Sequence, residues 1–390
     1  MLIHLVEPLA SGHRLLFVRR IADAARSCGH RVLLSTCASS YDHPAFAQVA
    51  ELVQPLAIVD GDDQVARMCR QRGLRARLGW HRLISRHWRS LPPEQKGDVV
   101  VLTYADYCLL ACGLLGSPFA DKPWVGIIMQ PTFHHPAMGL EAPAPRAAGW
   151  SSWLFGRALR TRCLGRLLAL DETLPAWADG RWPRSAGRCV HLGDPADPLQ
   201  VVARVDARRR FALPPGGRVV LVFGAIDPRK GLRELVAATS QPAWPPDLIV
   251  LALGTWNAAA AAQADDPDMV AARKQGRLVV HDRWADEADE AAAFAAADLV
   301  WVGYLDFFQS SGVLMQAALA QLPVVSCRAG LIGWLTTRHQ LGAVVDPRDA
   351  AAVAMAVAGA VRGPAAAAFN PPTGEEMGRR VVAACQDAPT

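Results

Sequence analysis

Residues 298–325 read Asp-Leu-Val-Trp-Val-Gly-Tyr-Leu-Asp-Phe-Phe-Gln-Ser-Ser-Gly-Val-Leu-Met-Gln-Ala-Ala-Leu-Ala-Gln-Leu-Pro-Val-Val. Leu299 to Val302 is a short apolar, β-branched run, as a buried parallel strand requires. Gln309 to Gly312 carries the turn and helix-cap residue types, and Val313 to Ala320 reads as a helix of small and apolar side chains. Pro323 pushes Leu322 toward an extended conformation, and Val324-Val325 begins another strand. A strand–helix–strand unit of this kind places a helix N-terminus at the carboxyl edge of a parallel sheet. Free backbone N–H groups and the positive end of the helix dipole there favour an anion. An ordinary N-cap fits Ser310-Ser311-Gly312 equally well when the stretch is taken alone.

The pattern repeats on both sides. Leu2 to Val6, Arg31 to Ser35, Leu56 to Val59, Asp98 to Leu102, Trp124 to Met129, Leu167 to Leu170 and Cys189 to Leu192 read as strands of a first half. Gly193-Asp194-Pro195-Ala196-Asp197-Pro198 is a linker, and a second α/β run follows with strands at 219–223, 247–253, 278–281, 299–302, 324–327 and 342–345. A last helix over about 375–386 follows the break at Pro371-Pro372. The expected class is α/β: two doubly wound Rossmann-like domains, 1–195 and 196–370, facing a cleft, with 371–390 crossing back to the first.

Composition limits the function classes. The chain has 390 residues and a formal net charge of +5, too small for a general polyanion binder. Its nine Cys are scattered, odd in number and without a Cys-x-x-Cys pair, which points to reduced core thiols in the cytoplasm. No apolar run reaches membrane-spanning length, and no Gly-x-Gly-x-x-Gly supports a dinucleotide.

Charge is unevenly distributed. Residues 65–91 hold Arg67, Arg70, Arg72, Arg75, Arg77, Arg82, Arg86 and Arg89 with Trp80 and Trp88 and no acid. Residues 150–166 hold Trp150, Trp153, Arg157, Arg160, Arg162 and Arg166, patterned as a basic amphipathic helix. Each segment admits two readings: a surface for an anionic membrane or a phosphorylated acceptor, or an Arg-rich solvated face over core aromatics. Nucleic acid is not the expected partner, because no nucleic-acid module is visible.

Residues 219–232 supply the chemistry that the opening stretch lacks. A strand ends at Gly224, and Asp227-Pro228-Arg229-Lys230-Gly231 opens the next helix. Arg229 is a fork-shaped donor and Lys230 a point charge, a pair suited to a diphosphate. Both blocks fall at strand ends on one edge of one sheet, so they can converge.

Together these residues resemble the donor domain of the GT-B glycosyltransferases of the retaining family 4 type. Gly224, Lys230 and Gly231 match the family's Gly-Arg-x-x-x-x-Lys-Gly, and in the block from Gln316 through Val325 the residues Ala317, Pro323, Val324 and Val325 match Glu-Ala-x-Ala-x-Gly-x-Pro-Val-Val. The chain departs from the family where its Arg falls on Ala225 and its two glutamates fall on Phe308 and Gln316. Asp306 or the Ser310 and Ser311 hydroxyls stand in line to replace the first glutamate. The resemblance implies transfer of a sugar from a nucleotide-diphosphate sugar, retaining at the sugar, without a metal because Arg229, Lys230 and the helix end supply the positive charge. Asp60-Gly61-Asp62 is accordingly read as turn chemistry.

The resemblance further implies Gly12 and His13 in the loop after the first strand, His134 near the acceptor side, Arg283 and Trp284 at the base, and Gln316 at the ribose. Ser310, Ser311 and Gly312 would meet the donor phosphates. The expected acceptor is a glycan or lipid-linked molecule of the cell envelope, with the protein cytoplasmic and peripheral on the inner membrane. Two alternatives stay open: a GT-B scaffold that binds without transfer, and a sugar-nucleotide epimerase of the same architecture.

Overall fold

The computed structural model describes residues 1–10, 14–59, 61–69, 73–143, 147–363 and 369–388. Two compact units emerge. The first comprises Met1–Met138, Ala144–Gly193 and Pro372–Thr390; the second comprises Gly139–Pro143 and Asp194–Pro371.

The first unit holds seven parallel strands: β1 (Leu2–Val6), β2 (Arg31–Thr36), β3 (Gln54–Ala57), β4 (Val99–Leu102), β5 (Trp124–Ile128), β6 (Leu164–Ala169) and β7 (Cys189–His191). Their order is β3-β2-β1-β4-β5-β6-β7. The central strands are fully buried because helices cover both faces, which is why they read as unbroken apolar runs. The last helix, Gly374–Gln386, closes this unit by burying Met377, Val381, Val382 and Cys385 with Val18, Ile21 and Ala25 of the helix Arg14–Ser27. A Cβ at Gly378 would lie 2.4 Å from the Arg20 carbonyl oxygen, so the two helices meet backbone to backbone only because that residue is glycine.

The second unit holds six parallel strands: β8 (Arg218–Phe223), β9 (Leu248–Leu253), β10 (Leu278–His281), β11 (Leu299–Val302), β12 (Val324–Cys327) and β13 (Gly342–Val345), in the order β10-β9-β8-β11-β12-β13. In both sheets the winding reverses once, between β1 and β4 and between β8 and β11. In open α/β sheets the crevice at the carboxyl ends of such a strand pair is the ligand position.

Several expectations need correction. The edge strand β3 is Gln54–Ala57 rather than 56–59; Val59 is 66% exposed and lies past it. β6 begins at Leu164, so the segment 150–166 is not one helix. The helix covers Ala148–Ala158, and Cys163 at φ 64° turns the chain into the strand. In 65–91 the aromatic residues do not reach a surface: Trp80 and Trp88 are core residues, while Arg75, Arg82, Arg86 and Arg89 are exposed.

Candidate functional site

The carboxyl ends of β8 and β11 gather the charged and hydroxylated residues of the second unit. Past Gly224, Asp227 caps a 3-10 turn, Pro228–Lys230, whose leading proline sets the backbone angle for the turn. Gly231 follows at φ 64°, and a Cβ there would lie 2.3 Å from the Gly303 carbonyl oxygen. Glycine therefore lets the turn lie directly against the end of β11. Two hydrogen bonds fasten it: Leu305 N to Arg229 O at 2.7 Å, and the Trp301 indole N–H to Lys230 O at 2.9 Å.

Lys230 is 6% exposed. Its ammonium donates to the Phe223 carbonyl oxygen at 2.7 Å and to the Tyr304 hydroxyl at 2.8 Å. Arg229 stays accessible, pairs with Asp227 at 3.3 Å and lies 4.5 Å from the Phe307 ring centroid. The helix Gly312–Leu319 begins beside them. Ser311 is its N-cap by backbone conformation, yet the hydroxyl accepts no helix N–H. That hydroxyl instead bonds Tyr304 at 3.2 Å. The first helical N–H groups, before Met315 N binds Ser311 O, have no intrahelical acceptor, an arrangement that suits an anion.

The other expected donor residues take varied positions. Ser310 donates to Asp194 at 2.8 Å, and the Gln316 amide donates to the Asp197 carbonyl oxygen at 3.2 Å, tying the helix to the linker segment 194–198. Phe308 is anchored through its carbonyl oxygen to Leu331 N. Asp306 is exposed and paired with Arg348 at 3.0 Å, so its charge is already engaged at the surface. Arg283 grips Asp289, which is 1% exposed and also bonds Arg210 at 2.7 Å. The hydrogen bonds from Arg283, then Arg210, outweigh burial and hold the Asp289 carboxyl well below the usual range. Arg283 therefore anchors the loop after β10. Trp284 beside it is 77% exposed, its ring available for stacking.

The first unit carries a different chemistry. Gly12 and His13 lie outside the described residues. His134 and His135 are buried, and both Nε2 atoms reach Asp171 Oδ2, at 2.9 and 3.1 Å. Thr173 gives Asp171 Oδ1 its backbone N–H at 2.8 Å and its hydroxyl at 2.6 Å. Burial would raise Asp171, but the hydrogen bonds from His134, His135 and Thr173 hold it well below the usual carboxylate range. Burial lowers His134. These three residues are the group of metal-ligand type among the described residues. Their chemistry fits a hydrogen-bonded hub better than a metal centre. A metal on both Nε2 atoms would move the protons to Nδ1, and both Nδ1 atoms are buried without a partner.

Besides Asp171, sequence reasoning passed over four residues. Tyr304, two residues past β11, holds Lys230 and Ser311 through its hydroxyl. Trp256, after β9, has a buried indole N–H with no partner. Glu7, ending β1, is 1% exposed and accepts from Thr103 at 2.8 Å, Tyr107 at 2.9 Å and Leu9 N at 3.1 Å; burial raises its pKa. Burial pushes Asp106 up to about 6 although Met129 N and Gln130 N both donate to it. A glutamate directly after a buried strand was the one available signal; the others depend on tertiary proximity.

No family model matches the sequence, and no curated protein matches it. Solved structures do match over the whole chain. Sucrose-phosphate synthase from Thermosynechococcus elongatus is 16% identical with a TM-score of 0.64, covering 99% of this chain and 94% of its own. Anabaena HepE, solved with UDP and glucose, is 16% identical with a TM-score of 0.60, covering 100% and 95%. The UDP-GlcNAc 2-epimerase from Methanocaldococcus jannaschii is 12% identical with a TM-score of 0.60, covering 98% and 99%. The fold is that of the GT-B glycosyltransferases, an α/β architecture of two doubly wound parallel units.

Proposed function

We propose that this protein transfers a sugar from a nucleotide-diphosphate sugar, the donor, to a glycan or lipid-linked acceptor of the cell envelope. One observation carries the reading. At the winding reversal of the second sheet, Arg229, Lys230 and the start of the helix Gly312–Leu319 bring two cations and unbonded backbone N–H groups to one place. Negative charge develops on the diphosphate as the sugar leaves, and fixed positive groups there stabilise it. Side chains supply that charge, so the proposal includes no metal and no cofactor beyond the donor. Trp284 stacks on the base and Gln316 meets the ribose. The expected stereochemistry, retention, comes from the family 4 resemblance alone. HepE, which shares the fold, was solved with UDP and glucose, and that supports a nucleotide sugar here.

The test is hydrolysis and transfer with UDP-, GDP- and dTDP-sugars by wild type and Lys230→Ala. We expect the substitution to reduce turnover at least about a hundredfold, the scale of losing one fixed donor to developing charge. Equal turnover would remove the reading.

The acceptor side belongs to the first unit, where His134 and His13 are proposed to order the acceptor and the sugar. Trp150 and Trp153 stand exposed on the helix Ala148–Ala158 with Arg157 beside them. We assign this face to an anionic membrane surface, with the protein cytoplasmic and peripheral. No described helix is long and apolar enough to cross a membrane.

One observation favours a second reading, a GT-B scaffold that binds without transfer. Phe308 and Gln316 occupy the positions of two acids, and the Gln316 amide is already engaged by Asp197. A thermal-shift screen separates the two: a scaffold without a donor site gains no stability from any nucleoside diphosphate. An epimerase ranks below both, because Asp227, three residues before Lys230, and Asp306, four residues past β11, are each paired with an arginine.

A further inference from the structure

Three helices, Gly73–Ser90, Leu109–Leu115 and Ala148–Ala158, lie on one face of the first sheet. Their buried residues Trp80, Leu109 and Phe155 share one core with Leu102 and Leu167 of the strands. The middle helix is tied to both neighbours at its C-terminal end. The His81 ring donates from Nε2 to Gly116 O at 3.0 Å, and Arg157 Nε donates to Gly113 O at 2.6 Å. A Cβ at Gly113 would lie 2.3 Å from the Leu154 carbonyl oxygen, so glycine brings these two helices backbone to backbone. Side chains turned away from the shared core therefore form one outward surface.

Two observations mark that surface. The three helices contain no Asp or Glu, and Arg75, Arg82, Arg86, Arg89 and Arg157 are exposed on them. Of the twelve large apolar side chains exposed among the described residues, five are here: Leu74, Leu114, Leu115, Trp150 and Trp153. The apolar and cationic groups are contiguous. Trp150 and Trp153 have ring centroids 5.5 Å apart, the Arg157 guanidinium lies 5.1 Å from the Trp153 ring centroid, and Arg157 reaches the turn that carries Leu114 and Leu115. On the other flank of that turn stands His81, next to the arginine row of Gly73–Ser90. A row of arginines without acids is complementary to phosphates. Exposed indoles and leucines beside it call for an apolar phase directly behind those phosphates. A bilayer supplies both layers and a soluble polyanion only one.

We infer that all three helices, and not Ala148–Ala158 alone, form the face that lies on an anionic bilayer. Trp150, Trp153, Leu114 and Leu115 enter the boundary of the acyl chains, while the arginines of Gly73–Ser90 meet the headgroups. This rests on the membrane reading of Ala148–Ala158 above and adds two helices to it.

The experiment is co-sedimentation of the full chain with vesicles of phosphatidylglycerol and phosphatidylcholine, and with vesicles of phosphatidylcholine alone. Wild type should prefer the anionic vesicles and lose much of that preference between about 0.1 M and about 1 M salt, as the Debye length falls from ~10 to ~3 Å. Arg82→Gln with Arg86→Gln should bind anionic vesicles about thirtyfold more weakly at the lower salt, the scale of two basic side chains leaving the surface. Leu114→Ser with Leu115→Ser should cost about tenfold at either salt. The arginine pair is solvated, so its variant folds even where the leucine pair's does not. An arginine variant that binds as wild type does, or a folded leucine variant that does so, overturns the three-helix surface and leaves Ala148–Ala158 as the membrane contact. Wild type that binds inorganic polyphosphate and no vesicle, or binds both kinds of vesicle equally, overturns the surface and the anionic membrane reading together.

Discussion

Two helices of the first unit share a composition and differ in fate. Gly73–Ser90 carries two tryptophans among five arginines, and Ala148–Ala158 carries two with Arg157, while Arg160 follows its end. In the first, Trp80 and Trp88 are 5% and 3% exposed; in the second, Trp150 and Trp153 are 69% and 47% exposed. Phase along the helix decides it. Trp80 and Trp88 lie on the face of Ala76, Leu83, Ile84 and His87, with Arg75, Arg82, Arg86 and Arg89 opposite. Trp150 and Trp153 lie instead with Arg157 and Arg160, opposite Leu154, Phe155 and Ala158. A tryptophan in phase with the aliphatic residues is a core residue; one in phase with the arginines is a surface feature that must be explained by what covers it.

The sharpest way to break this comparison is to truncate one tryptophan from each helix. Trp88 packs 5.3 Å from His4 and 5.4 Å from Phe119 by ring centroids. Trp88→Ala should cost about 3–5 kcal/mol in chemical denaturation, and Trp150→Ala at most about 0.5 kcal/mol. Equal costs would erase the distinction.

Acid should act through the buried face of the first helix next. His87 Nε2 and His4 Nε2 each lie 2.7 Å from the Ser35 hydroxyl, in the core. Burial lowers His87 to about 4, and burial with repulsion from His87 lowers His4 to about 3. Both are neutral when folded, whereas unfolded imidazoles titrate near ~6.5. Below that pH the unfolded chain binds protons that the native state refuses, so stability is full above about 6.5 and falls toward about 4. One imidazole alone gives about 3 kcal/mol of loss by pH 4.5. Unfolding free energies that stay level from pH 6.5 to 4.5 would contradict the burial of this pair.

The exposed pair is probed by lipid. Trp150→Ser with Trp153→Ser should weaken binding to vesicles containing anionic phospholipid about tenfold, with little change in thermal stability. Unaltered vesicle binding would detach that helix from the membrane reading. The smallest effect belongs to the solvated arginines: Arg82→Gln with Arg86→Gln should move stability by no more than about 0.5 kcal/mol.

Phase was legible in the sequence of both helices, although composition hid it. The strands were legible for a related reason: parallel strands covered on both faces, such as Leu299–Val302 and Leu248–Leu253, are continuous apolar runs. The edge strand β3 was misplaced because Gln54-Pro55-Leu56-Ala57 is mostly exposed and contains a proline, and carries no such run. At the site, Lys230 was visible because turn residues flank it. Tyr304 was not, since its hydrogen bonds to residues 230 and 311 exist only in the folded chain. Asp171 escaped notice likewise, standing one strand later than the histidines it holds.

The helix Gly374–Gln386 has a consequence for synthesis. It belongs to the first unit but is made after the whole of 194–371. On the ribosome the second unit has its six strands before the first has its last covering layer. Until those residues emerge, Val18, Ile21 and Ala25 lack the partners Met377, Val381 and Val382. The nascent first unit thus keeps an apolar face open through nearly half the chain's translation, a window in which that face is exposed to other chains.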